Sequence, residues 1–231
     1  MKLSAALLAF ALTCAAPALA QSRHLAPGFA ALPKSATVVL MPADVELFSI
    51  SAGGVFEPRA DWTEAALRHF NASLAEKKRA LGVPFKPLTD ADLDQFAELV
   101  ALHRAVASAI GLHHFGSSAL LLPTKEKRLD WSLGPSVQAI RRATGADYAL
   151  FTWVRDSYAS EERKATMLAF AVLGAISFAG GIQAAYASLV ELETGRIVWF
   201  GDLFRSRGDL RNAESAREVL DALFTDFPAP R

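Results

Sequence analysis

The chain has 231 residues, with 24 Lys and Arg against 24 Asp and Glu, so its formal net charge is zero. Hydrophobic residues make up 52% and charged residues 21%, which excludes a disordered or highly charged protein. Balanced charge leaves no electrostatic footprint for nucleic acid, and a single cysteine closes no internal disulfide and builds no cysteine-based zinc site.

The chain opens on Met1-Lys2-Leu3, an apolar run from Ala5 to Ala15, and Pro17-Ala18-Leu19-Ala20 before Gln21. A basic start, a short apolar core and an A-x-A site predict a secretory signal peptide over 1–20, cleaved after Ala20. The apolar core is too short for a membrane span. Cys14 falls inside this segment. Thr13 before it and Ala11 three places back match a lipoprotein signal poorly, so an outer-membrane anchor at Cys14 is not expected. The exported chain would then hold no cysteine and be stable without disulfides.

Residues 21–35 contain Pro27, Gly28 and Pro33 without a sustained period, and read as a flexible lead-in. Thr37 to Met41 reads as a strand buried on both faces, stopped by Pro42. Val45 to Ile50 reads as a second strand, followed by a Gly53-Gly54 turn. The first helix is marked by a capping box, Asp61-x-x-Glu64, a stripe of Trp62, Ala66, Phe70 and Leu74, and a stop at Gly82. The second helix starts near Thr89-Asp90. Its stripe is Leu93, Phe96, Val100, His103, Ala107 and Ile110, and Gly111 is its expected end. A short third helix opens at Pro135 and stops at Gly145.

Asp147 to Arg155 is apolar on both faces and reads as a central strand. Tyr186 to Leu192 and Arg196 to Leu203 flank Glu193-Thr194-Gly195 as a β-hairpin. Asn212 caps a last helix carrying Val219, Leu220, Leu223 and Phe224, and Pro228 and Pro230 end the regular structure. The expected fold class is α/β. A single domain over 36–227 carries a mixed β-sheet, with a first strand parallel to the central strand and a C-terminal hairpin, flanked by about four helices.

Two stretches resemble a known domain. Gly145-Ala146-Asp147-Tyr148-Ala149-Leu150-Phe151 is similar to its G-A-D-Y-x-L strand start. Leu189 to Trp199, with Glu193-Thr194-Gly195-Arg196-Ile197-Val198-Trp199, resembles its L-V-D-x-x-T-G-x-I-x-W hairpin. This is the bacterial envelope α/β domain of the TolB N-terminal part, the CsgG-type curli secretion lipoproteins and the LpoB-type activators of peptidoglycan synthases. The resemblance implies a non-catalytic protein of the periplasm that binds an envelope protein or forms a homo-oligomer. Thr152-Trp153 stands where the family often has Gly, and the segment before the hairpin lacks the alternation of a pore strand.

That segment is the second unusual feature. Ala165 to Val190 holds no charged residue, and 165–182 forms an apolar insert. Met167, Leu168, Phe170 and Val172, then Leu173, Ile176 and Phe178, are its candidate partner or membrane contacts. It reads as a core or dimer-packing helix, as a partner-inserting or peripheral membrane-contacting element, or as a short span interrupted by Gly180-Gly181.

Catalytic signals are weak. His113-His114 is adjacent and His103 lies on the apolar stripe, so no metal site is expected. There is no nucleophile elbow and no phosphate-binding loop, and no cofactor is implied. If the first and central strands are parallel, Asp44, Arg155, Asp156 and Tyr158 share the strand-end edge, with the loop ending in Asp130 near it. That edge supports an alternative, a small hydrolase or ligand-binding protein. A subunit of a transport or secretion assembly is a third reading.

Overall fold

The computed structural model describes residues 22–88, 94–172, 181–206 and 208–231. The signal-peptide segment, Cys14, the start of the second helix with Leu93, and Leu173, Ile176 and Phe178 lie outside the described residues.

Seven strands form one mixed sheet: β1 (Val38–Leu40), β2 (Asp44–Ile50), β3 (Phe56–Pro58), β4 (Phe85–Pro87), β5 (Tyr148–Ala159), β6 (Gln183–Glu191) and β7 (Ile197–Arg205). Five α-helices accompany them among the described residues: α1 (Ala60–Leu81), α2 (Ala97–Ile110), α3 (Gln138–Thr144), α4 (Glu161–Val172) and α5 (Ala213–Leu223). The sheet is organised by β5, which is four residues longer at its end than the sequence suggests. Along one side β5 pairs antiparallel with β6, which pairs antiparallel with β7. Along the other side it pairs parallel first with β1 and then with β2. β1 and β2 are therefore one strand interrupted at Met41-Pro42-Ala43. Proline donates no ladder hydrogen bond, and here residues 41–43 oppose only 151–152, one residue too many, which makes a bulge. β4 extends the sheet beside β1, and β3 beside β2.

Side chains alternate across a strand, so two cores form. On one face α1 and α5 pack Phe70, Leu74, Val219 and Leu223 against Leu47, Leu150, Leu189 and Trp199. On the other face α2, with Phe96 just before it, and α3 pack Phe96, Ile110 and Ile140 against Val39, Phe151, Tyr186 and Phe200. Exposed ion pairs Lys77–Asp221 at 2.7 Å and Arg217–Glu76 at 3.2 Å join α1 to α5. Such pairs set register more than stability.

Helix ends partly follow the sequence. Asn212 Oδ1 accepts the Ser215 amide at 2.9 Å, and Gly82 and Gly145 close α1 and α3 in the left-handed region. The Asp61-x-x-Glu64 capping box does not form. Arg59 holds the cap position without a side-chain bond, and it forks onto Asp61 at 2.8 and 3.0 Å, inside the first turn. Glu64 is spent on Arg68 at 2.7 Å. Gly111 does not stop α2. Its backbone stays right-handed and the chain continues through a π-turn over Gly111–Phe115. Phe115 then stacks on Phe200 at 5.6 Å, and His114 Nε2 bonds the Arg23 carbonyl at 2.9 Å.

The lead-in is docked along β7. Ala26 N donates to the Val198 carbonyl at 3.0 Å and Phe200 N to the His24 carbonyl at 2.9 Å. Ala26 and Leu32 are fully buried. The free edge of β7 supplies partners that the sequence pattern of 21–35 does not reveal.

Gly201 is where α5 meets the sheet: a Cβ there would collide with the Leu223 carbonyl oxygen. Gly201→Ala should therefore destabilise the fold by about 1–3 kcal/mol, read as a lowered midpoint in urea unfolding.

Candidate functional site

The strand-end residues fall into three separate places. Arg155, on β5, donates to Asp44 Oδ1 at 2.8 Å and approaches Glu46 at 3.2 Å. Arg104 reaches the same Asp44 from α2 at 2.6 Å. Two guanidinium groups thus face two carboxylates, and the cluster is neutral.

Asp156 follows Arg155 on the strand and so projects from the opposite face. It is 2% exposed. It accepts from the Tyr158 hydroxyl, from Gln183 Nε2 at 2.6 Å, from Ser157 N at 2.9 Å and from Leu210 N at 3.4 Å. This clamp ties β5 to β6 and to the loop before α5. Burial pushes the Asp156 carboxyl up from its ordinary range, and burial pushes the Tyr158 hydroxyl up as well. Asp130 pairs with Lys125 at 3.9 Å within its own loop. Asp44 and Asp156 therefore do not converge on one side of the sheet, as acid and base in a hydrolase must.

His103 sits beneath the bulge. It is 4% exposed, stacks on Phe151 at 4.1 Å, and its Nε2 bonds Ser188 Oγ. Burial, with help from Arg104, lowers its pKa to about 3, so it is neutral above that pH. Ser188 is fully buried. The His–Ser pair satisfies two buried polar groups and leaves no reachable nucleophile. Over it lies a cavity of about 250 Å³, between the Pro42 bulge, Asp44, Arg104, Trp153 and Tyr186. Among the described residues no group of three or more His, Cys, Asp or Glu could hold a metal ion.

A row of rings crosses the same sheet face. Trp153 stacks on Tyr186 at 4.7 Å and 8°, Tyr186 on Phe200 at 5.8 Å, and Phe200 on Phe115. Arg155 lies 4.8 Å over Trp153 at one end and Arg23 4.2 Å over Phe115 at the other. Burial pushes the Tyr186 hydroxyl up to about 12. Trp153 Nε1 is buried with no hydrogen-bond partner among the described residues. Trp153 and Tyr186 form a ridge between the small cavity and a groove of about 720 Å³. The groove runs between the end of α2 with its π-turn and the outer half of β7. Ala107, Gly111 and Leu112 line one wall, and Ala184, Asp202 and Phe204 the other. Phe204 is 72% exposed.

The groove was not singled out by the sequence, although one signal was there. On β7 the face that carries Phe200 continues through Asp202 to Phe204, an apolar residue beyond a charge on one side of a strand. Of the apolar insert, Met167 is half-buried and Leu168 is 67% exposed on α4, and Phe170 and Val172 belong to its last turn. No helix of the described residues is long and apolar enough to cross a membrane.

The two buried groups give opposite tests. The folded pKa of His103, about 3, lies below the ordinary histidine value of about 6.5, so folded protein binds fewer protons between those two pH values. Stability should fall as pH drops through that window, by about 1.4 kcal/mol per unit from this residue. His103→Phe should flatten the acid limb of a stability–pH curve by one proton. Asp156→Ala strands the Tyr158 hydroxyl, Gln183 and the Leu210 amide, and should cost about 2–4 kcal/mol by urea unfolding at pH 7.

No protein-family model matches the chain, and no curated relative matches its sequence. Similar solved structures were found. A PelC dodecamer from Paraburkholderia phytofirmans is 12% identical, with 87% of this chain and 93% of that chain covered and a TM-score of 0.42. A lipoprotein from Neisseria meningitidis is 14% identical over 82% and 94% at 0.34. The LpoB C-terminal domain from Salmonella enterica is 18% identical over 79% and 88% at 0.27. At these scores the likenesses carry no argument about role, and the fold rests on the strand order and register above.

Proposed function

We propose that the chain is a non-catalytic protein of the bacterial envelope that works by binding a protein partner or by self-association. The observation that carries this is the groove beside β7, about 720 Å³, apolar along most of its wall and flanked by a Phe204 that is 72% exposed. A contiguous apolar recess on a folded chain marks a contact surface. The titratable groups elsewhere favour no reaction. Asp44 is neutralised by two arginines, Asp156 is consumed by a structural clamp, and His103 is buried and neutral. The signal-peptide pattern of 1–20 and the likeness of 145–151 and 189–199 to an envelope domain support export to the periplasm, in envelope assembly or secretion.

A photo-crosslinking residue at Phe204, in the full chain expressed in its own cells, tests this. The protein is expected in the periplasmic or membrane fraction, with a discrete adduct from position 204 and none from the exposed Arg142 on α3. Recovery in the cytosol, or equal adducts from both positions, would contradict the proposal.

A further inference from the structure

The outer half of β7 permits one step that rests on the partner-binding reading. Alternate residues of a strand turn their amide and carbonyl to the same side. The Phe200 amide points away from β6, donating to His24. The pairing with β6 is unbroken from Trp199 to Arg205, so Asp202 and Phe204 also turn their backbone groups outward. Among the described residues these outward groups have no partner. The other sheet edges are blunted. β3 ends in Pro58, and β4 is bounded by Pro84 and Pro87 around Lys86. Proline and lysine are the usual guards of an edge, and neither occurs in 201–205.

The side chain of Asp202 adds a second, independent feature. It lines the groove, is half-buried, and makes no hydrogen bond or ion pair among the described residues. Burial pushes its carboxyl up, only partly offset by Arg23 and His24. A half-buried carboxylate that holds no ion pair or hydrogen bond gains from a further cation, which a partner strand can bring.

We propose that residues 201–205 accept an extended peptide strand of a partner protein as an added strand of the sheet. An apolar side chain of that strand lies over Phe204 and the groove, and a Lys or Arg two residues along faces Asp202. Strand addition draws affinity from main-chain bonds and specificity from alternate side chains. Charge complementarity selects a foreign strand over a second copy. On the groove face β7 offers only Phe200, Asp202 and Phe204, and its one base, Arg205, turns to the opposite face toward Glu218 of α5, so an antiparallel second β7 with the same face up sets no base against Asp202.

Fluorescence anisotropy with three labelled peptides tests the proposal on the exported full chain. The first is Thr-Val-Thr-Arg-Thr-Val-Thr, the second has Glu for Arg, and the third has Pro for the two inner Thr residues. The Arg peptide should bind at least about tenfold tighter than the Glu peptide, and the Pro peptide should not bind. Asp202→Asn should erase the Arg-over-Glu preference. Phe204→Glu, at an exposed position that folding does not need, should abolish binding. No binding of the Arg peptide, or a preference that survives Asp202→Asn, overturns the proposal. A dimer in sedimentation that Phe204→Glu dissolves gives the edge to a second copy and overturns it too. If peptides fail while position 204 still crosslinks in cells, strand addition is wrong and partner binding stands; if both fail, both are wrong.

Discussion

Pro42 has no amide hydrogen, and much of the sheet depends on that missing donor. It breaks the strand beside β5 into β1 and β2 and leaves one extra residue in the gap. One residue flips every side chain beyond it to the other face. Before the break, Val39 and Met41 point to the α2 side; after it, Val45 and Leu47 point to the α1 side and join the core around Trp199. The same flip sends Asp44 and Glu46 to the α2 side, where Arg104 and Arg155 neutralise them. The bulge thus completes one hydrophobic core and closes the other with charge. It also opens the small cavity above His103.

Where that charged cluster ends, the groove begins. Trp153 separates the two, clasped between Arg155 and Tyr186. From Tyr186 the rings lead to Phe200 and Phe115, which are fixed in turn by the π-turn and the docked lead-in. Among the described residues the lead-in covers β7 only as far as Phe200. Beyond that point the strand has a regular backbone, an exposed Phe204 and an Asp202 without an ion pair among the described residues. Among the described residues the groove borders this uncovered stretch, and a partner strand is the element that would complete it.

Most of the architecture is legible in the residues. Two largely apolar runs around the Glu193-Thr194-Gly195 turn identify β6 and β7, and the apolar run from Tyr148 identifies β5 as central. Other features depend on tertiary partners. Gly111 resembles a helix stop, yet Phe115 and His114 find contacts that draw the helix on. The lead-in has no period of its own because its hydrogen bonds are with β7. The strand-end residues divide for a reason that alternation already contains: Arg155 joins Asp44, while Asp156, its neighbour on the strand, faces the opposite side. Tyr158, next to last in β5, shares the face of Asp156 and not that of Arg155. The groove is less legible because its two walls lie some seventy or more residues apart, and only the Phe200–Asp202–Phe204 face hints at it.

The half-covered edge of β7 is the feature on which partner binding and strand addition both turn. Amide-resolved hydrogen exchange of the free protein measures it directly. The Phe200 amide, bonded to His24, should exchange slowly, while those of Asp202 and Phe204 should exchange at close to unfolded-chain rates. Equal protection at 200, 202 and 204 would mean that the edge is already paired, and would contradict an open docking strand.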